Sequence, residues 1–207
     1  MLRLGHKGYF VVYQRKLYQP IKFNKTKGLN MIKYDPIYKK ISKEWYLKSR
    51  EIKNSKYAKF FFLWCSFNAI YNLIGKCNTT DKKRIKKLIN ELKEEDAEIF
   101  FKEVKQFCNY FVLRRSPIKD MKKEFHGKEQ PKEVTDFESI IERYNANKEK
   151  IEIIKDIMII IYRVRNNLTH GSKEFSGNDY EVIENSIPIL EVIVNLVYKR
   201  VFGERFE

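Results

Sequence analysis

The run Arg163-Val164-Arg165-Asn166-Asn167-Leu168-Thr169-His170-Gly171 gathers two guanidiniums, two amides and an imidazole within nine residues. It follows Ile151 to Tyr162, an Ile-rich stretch that reads as a buried helix, where charged groups are costly unless something uses them. An imidazole titrates at about pH 6.5, so it can take or give a proton, while a guanidinium stays charged and grips phosphate oxygens with a fork of donors. The chemistry these residue types suit is proton transfer around a phosphodiester. Arg165 and His170 are five residues apart, about 140° on an ideal helix, so they share no face within one protomer unless the helix ends. Gly171 is placed to end it. Arg163, Asn166, Asn167 and His170 lie near one another on the regular helix, which makes Arg163 a competitor or helper for the cationic role. Cleaving a phosphodiester needs both a base and an acid, and one imidazole is too little for both. A two-fold dimer supplies two imidazoles and two guanidiniums in one composite cleft.

These residues need a scaffold, and from Pro36 onward the pattern is helical. Apolar spacing predicts helices over 37–53, 57–74 (stopped by Gly75), 80–93 (capped by Thr79 or Thr80) and about 95–114. Further helices are expected over about 137–144, 148–169 and 179–202, the last bearing Pro188 as a possible kink. Residues 116–135 are polar, contain Pro117, Gly127 and Pro131, and read as a long surface loop or insertion. No internal repeat and no glycine-rich phosphate loop is found. The fold class is therefore all-α, a helical bundle.

Composition sets the outer bounds. The 207 residues are 43% hydrophobic and 14% aromatic, ample for a core, and suit one domain of 31–207 after a separate segment of 1–30. That segment carries seven basic residues and no acid, and reads either as an arm with a short hairpin around Tyr9 to Tyr13 or as an extension preceding the domain, a reading that includes a natural start at Met31. A formal charge of +15 points to a polyanionic partner, most simply nucleic acid, with a membrane surface second. Cys65, Cys77 and Cys108 have no CxxC spacing, so neither a disulfide framework nor a metal centre is expected, and a reducing cytoplasm fits. No signal-like core and no spanning stretch is read, so a soluble protein is expected.

The run Tyr162 to Gly171 resembles the Arg, polar residue, spacer, His signature of HEPN domains, small all-α proteins of which many are metal-independent RNases in toxin and antiviral systems. Leu63-Trp64-Cys65-Ser66-Phe67-Asn68-Ala69-Ile70-Tyr71 is similar to the aromatic second-helix pattern of the Apea-like and related HEPN groups. The resemblance covers about 34–202 and implies a HEPN-like antiparallel bundle with the basic segment as an N-terminal extension. It also implies that Arg165 and His170 are the catalytic pair and Asn166 their polar neighbour, with no cofactor and no metal. The implied reaction is attack of the ribose 2′-hydroxyl on the adjacent phosphate, leaving a 2′,3′-cyclic phosphate, so the substrate is RNA. A homodimer is implied, with an antitoxin or regulatory protein as a further partner. Toxins paired with nucleotidyltransferase antitoxins resemble a pattern with Tyr two places beyond the His; this chain has Ser172, so modification of such a tyrosine is not supported. The alternative is a non-catalytic HEPN module that binds RNA, a nucleotide or a protein.

Other residues carry competing readings. Arg163, Asn167, Asn68 and Lys173 are candidate binding residues beside the catalytic set. For the motif itself the structural alternative is a helix end whose Arg and His satisfy carbonyls above a glycine cap. Phe60, Trp64, Phe67 and Tyr71 follow helical spacing and read as core rather than a base-stacking platform. Asn68 points into the cleft or is a buried structural amide. Arg114 and Arg115 close a helix, where cations meet the dipole, in preference to contacting RNA. His126-Gly127 repeats the His-Gly pair only superficially, in a polar loop.

Overall fold

A computed structural model describes residues 36–74, 79–113, 118–119, 121–130, 137–146, 149–169 and 177–206. All fall within one compact unit, Tyr34–Glu207. The basic segment 1–30, the cations Arg114 and Arg115, and the site candidates His170 and Lys173 lie outside the described residues. Eight helices, and no strand, occur among the described residues: α1 (Pro36–Glu51), α2 (Lys56–Ile74), α3 (Asp81–Ile89), α4 (Glu94–Leu113), α5 (Met121–Phe125), α6 (Phe137–Ala146), α7 (Lys150–Thr169) and α8 (Gly177–Phe202).

Local chemistry sets the ends of these helices. Ser55 opens α2 as its cap, accepting the Ala58 N–H at 3.2 Å on its hydroxyl. The helix expected over 80–93 stops at Ile89, because Lys93 begins the next one: Asp96 reaches back to accept the Lys93 N–H at 2.9 Å, and the Asp96 N–H donates to the Lys93 carbonyl. Asp96 also binds Arg200, which ties the start of α4 to the end of α8. Two glycines stop helices in the left-handed conformation, Gly127 (φ 59°) after α5 and Gly203 (φ 75°) after α8. In the first, Gly127 and Lys128 donate to the Glu124 and Lys123 carbonyls, so the glycine of His126-Gly127 is a helix stop and His126 is exposed beside Phe125. Pro188 sits inside α8 without ending it.

α1 folds back on α2 so closely that buried Ser42 and Ser66 bond to each other, hydroxyl to hydroxyl at 3.0 Å. α2 lies between α1, α3 and α8, while α7 packs against α3, α4 and α6. Ile157 to Ile161 are five consecutive buried residues, which a helix shows when it is enclosed on every side; this is why α7 carries an Ile-rich run with no polar face. The stripe expected to be core is core: Phe60, Trp64, Phe67 and Tyr71 are all at most 1% exposed, and Trp64, Phe67 and Tyr71 meet edge to face. No helix among the described residues is long and apolar enough to cross a membrane.

The stretch expected to be a surface loop is anchored. Arg163 Nη1 donates to the Ile118 carbonyl at 2.8 Å, Asn167 Nδ2 donates to the Lys119 carbonyl at 2.9 Å, and the Met121 N–H donates to Asn167 Oδ1 at 3.2 Å. The last of these bonds satisfies an otherwise orphaned donor at the start of α5, so a short helix forms inside the expected loop.

Candidate functional site

Two faces of the last turns of α7 do different work. Arg163 and Asn167 are four residues apart on one face, each 3% exposed, and turned towards residues 118–121. Arg163 donates to the Ile118 carbonyl and Asn167 bonds Lys119 and Met121 backbone, so both anchor the loop. Periodicity put Arg163 near Asn166, but two residues along a helix turn the side chain by about 200°, so Arg165 looks the opposite way from Arg163.

Arg165 faces α2. Its guanidinium lies 6.0 Å from the centre of the Trp64 ring, and its charge acts on Cys65 and on Tyr71. Nη1 donates to Asn166 Oδ1 at 2.9 Å, while the buried Nε–H has no partner among the described residues. Both Arg165 and Asn166 are half-buried, so the pair reaches the surface. Because the Asn166 oxygen faces a group that can only donate, its NH2 is turned away from Arg165 as a further donor.

Asn68 stands on the helix that Arg165 faces. On α2 it lies one turn after Trp64 and Cys65 and one turn before Tyr71, the three residues on which Arg165 bears. Asn68 is half-buried and accepts the Asn72 Nδ2–H at 3.0 Å. Asn72 in turn accepts from Arg84 Nη1 at 2.7 Å, and Arg84 Nε donates to Thr79 Oγ1 at 3.2 Å. Sequence reasoning missed Arg84 and Asn72. Each left a signal: Arg84 occupies the face of α3 that buries Ile85 and Leu88, and Asn72 is four residues from Asn68 on one helix.

Two cations act on the phenol of Tyr71. Burial drives the Tyr71 hydroxyl well above its ordinary value and Asp81 adds to this, against the pull of the Arg165 and Arg84 cations. Tyr71 therefore stays a neutral phenol between two guanidiniums, its buried oxygen without a hydrogen-bond partner among the described residues. Burial also pushes the Cys65 thiol up to about 11, opposed by Arg165. Cys65 consequently reports on the cation. Its alkylation is slow at neutral pH and accelerates as pH rises towards 11. In a Cys77→Ser background, Arg165→Ala removes the opposing charge and slows alkylation at every pH below that value; an unchanged rate would place Arg165 elsewhere.

A cleft of about 650 Å³ lies away from this group, among Tyr46, Arg50, Lys59, Lys199 and Arg205, and shares no lining residue with it. Lys59 in that cleft is paired with Glu191 at 2.6 Å, whereas Arg165 has no carboxylate partner among the described residues and the Asn166 and Asn68 oxygens are engaged as acceptors, leaving their NH2 groups to donate. Among the expected site residues, Arg165 is bonded to Asn166 and lies over Trp64 of α2, the helix that carries Asn68, while Arg163 and Asn167 face residues 118–121. No protein-family model, curated protein or solved structure matches the chain.

Proposed function

We propose that the chain is a metal-independent endoribonuclease of the HEPN type, built on a HEPN-like bundle and working as a homodimer in the cytoplasm. The observation that carries this reading is Arg165 bonded to the Asn166 oxygen at the end of the motif helix and lying over Trp64 of the aromatic second helix, which leaves the Asn166 NH2 as a further donor. Donors without a carboxylate suit the non-bridging oxygens of a phosphodiester, whose charge grows as the transition state forms. The +15 charge of the chain draws an RNA strand to it.

In this reading the ribose 2′-oxygen attacks the adjacent phosphorus and the bond from phosphorus to the 5′-oxygen breaks. The His170 imidazole of one protomer takes the 2′-hydroxyl proton, and that of the second protomer gives a proton to the departing 5′-oxygen. Arg165 and Asn166 hold the phosphate oxygens throughout. The products are a 2′,3′-cyclic phosphate and a 5′-hydroxyl. A toxin or antiviral effector fits such an activity, held in check by an antitoxin or regulatory protein. The direct test offers the enzyme an RNA strand and its all-deoxy counterpart. Cleavage of the RNA alone is expected, because DNA lacks the internal nucleophile; cleavage of both would exclude the mechanism.

A further inference from the structure

The chain Arg84, Asn72, Asn68 has a direction. A guanidinium only donates, so the Asn72 oxygen must face Arg84, at 2.7 Å. The Asn72 NH2 then faces Asn68, whose oxygen accepts it at 3.0 Å. With that oxygen engaged, the Asn68 NH2 is the free end of the chain, and it has no partner among the described residues. Amide orientation is ordinarily a choice among networks, but here one end is fixed by a group that cannot accept. Arg84 is itself held, 8% exposed, by Thr79 at 3.2 Å and by Asp81 at 3.9 Å.

We propose that Asn68 presents its amide N–H groups to a phosphate oxygen of the bound RNA strand, and that Arg84, acting through Asn72, is the positioning residue that fixes this orientation. Three features support the assignment. Asn68 is half-buried, so part of its side chain reaches solvent, and its oxygen is already engaged by Asn72. It lies between the α2 residues on which Arg165 bears. Its polarity, donors outward, matches that of Asn166, whose oxygen is likewise engaged by an arginine. Two amides, each orientated by a guanidinium, then flank one anion position. The proposal rests on the ribonuclease reading, since the phosphate it binds is the one that reading cleaves.

The discriminating substitution is Asn72→Asp. It keeps an acceptor for Arg84, so a purely structural role predicts unchanged or higher stability and unchanged function. It also puts an acceptor where the Asn72 NH2 was, so the Asn68 amide turns over and offers its oxygen to the phosphate. Affinity for a fluorescent single-stranded RNA is measured by anisotropy in the His170→Ala background, where the strand survives. Asn72→Asp and Asn68→Ala are each expected to raise Kd about tenfold, the scale of one charge-assisted hydrogen bond. The double variant should bind no worse than Asn68→Ala alone, because both changes remove the same contact. The melting temperature of Asn72→Asp should equal or exceed that of its parent. Parental affinity in Asn72→Asp, or penalties that multiply in the double variant, overturns the proposal while leaving the ribonuclease reading in place. No RNA binding by the parent overturns both.

Discussion

On the ribonuclease reading, Arg165→Ala is expected to lower RNA cleavage by about a hundredfold to a thousandfold, the range seen when one donor that stabilises transition-state charge is removed. The fold should survive, because Arg165 is half-buried and bonds its own neighbour, Asn166. The loss is expected in kcat more than in KM, since the cation meets more negative charge as the phosphorus becomes five-coordinate. Arg165→Lys separates charge from geometry. A lysine keeps the charge but not the fork that holds both the phosphate and the Asn166 oxygen, so its activity should fall between wild type and the alanine variant. Single-turnover cleavage rates, with circular dichroism to verify helix content, make the measurement. A lysine variant equal to wild type would mean that charge alone matters and that the Arg165 to Asn166 bond orientates nothing.

Trp64→Ala carries the largest expected effect on stability, about 3–5 kcal/mol, from lost burial and the cavity left behind. Trp64 is 1% exposed and touches Phe67, Tyr71 and Tyr162 through their rings, so its removal opens the junction of α2 and α7. It also removes the surface beneath the Arg165 guanidinium. Urea unfolding should therefore show a lower midpoint, and cleavage measured where the variant remains folded should also decline. Trp64→Phe retains much of the burial and should recover most of the stability. Full activity in a folded Trp64→Ala protein would show that the aromatic stripe has no part in setting Arg165.

Much of the bundle was legible because helical spacing is a local property. Tyr57 to Ile74, with its aromatic stripe, and the Ile-rich run of α7 announced both helices and both buried faces. Boundaries failed where the deciding bond came from outside the window: Asp96 reaching back to Lys93 ends the preceding turn, and Asn167 starts α5 from 46 residues away in sequence. The motif residues were legible as a set, but not their division between two faces. Sequence spacing cannot say which face of a buried helix meets a loop, as Arg163 and Asn167 do, and which meets α2, as Arg165 does. Asn68 was noticed as a polar break in an oily helix, yet its orientation needed Arg84 from another helix.

The most direct test of the ribonuclease account is incubation of purified wild-type and His170→Ala protein with labelled single-stranded RNA in excess EDTA, followed by analysis of the product ends. The account predicts cleavage by wild type alone, with 2′,3′-cyclic phosphate and 5′-hydroxyl termini. Absence of cleavage by folded, dimeric wild-type protein, or equal cleavage by His170→Ala, would contradict it.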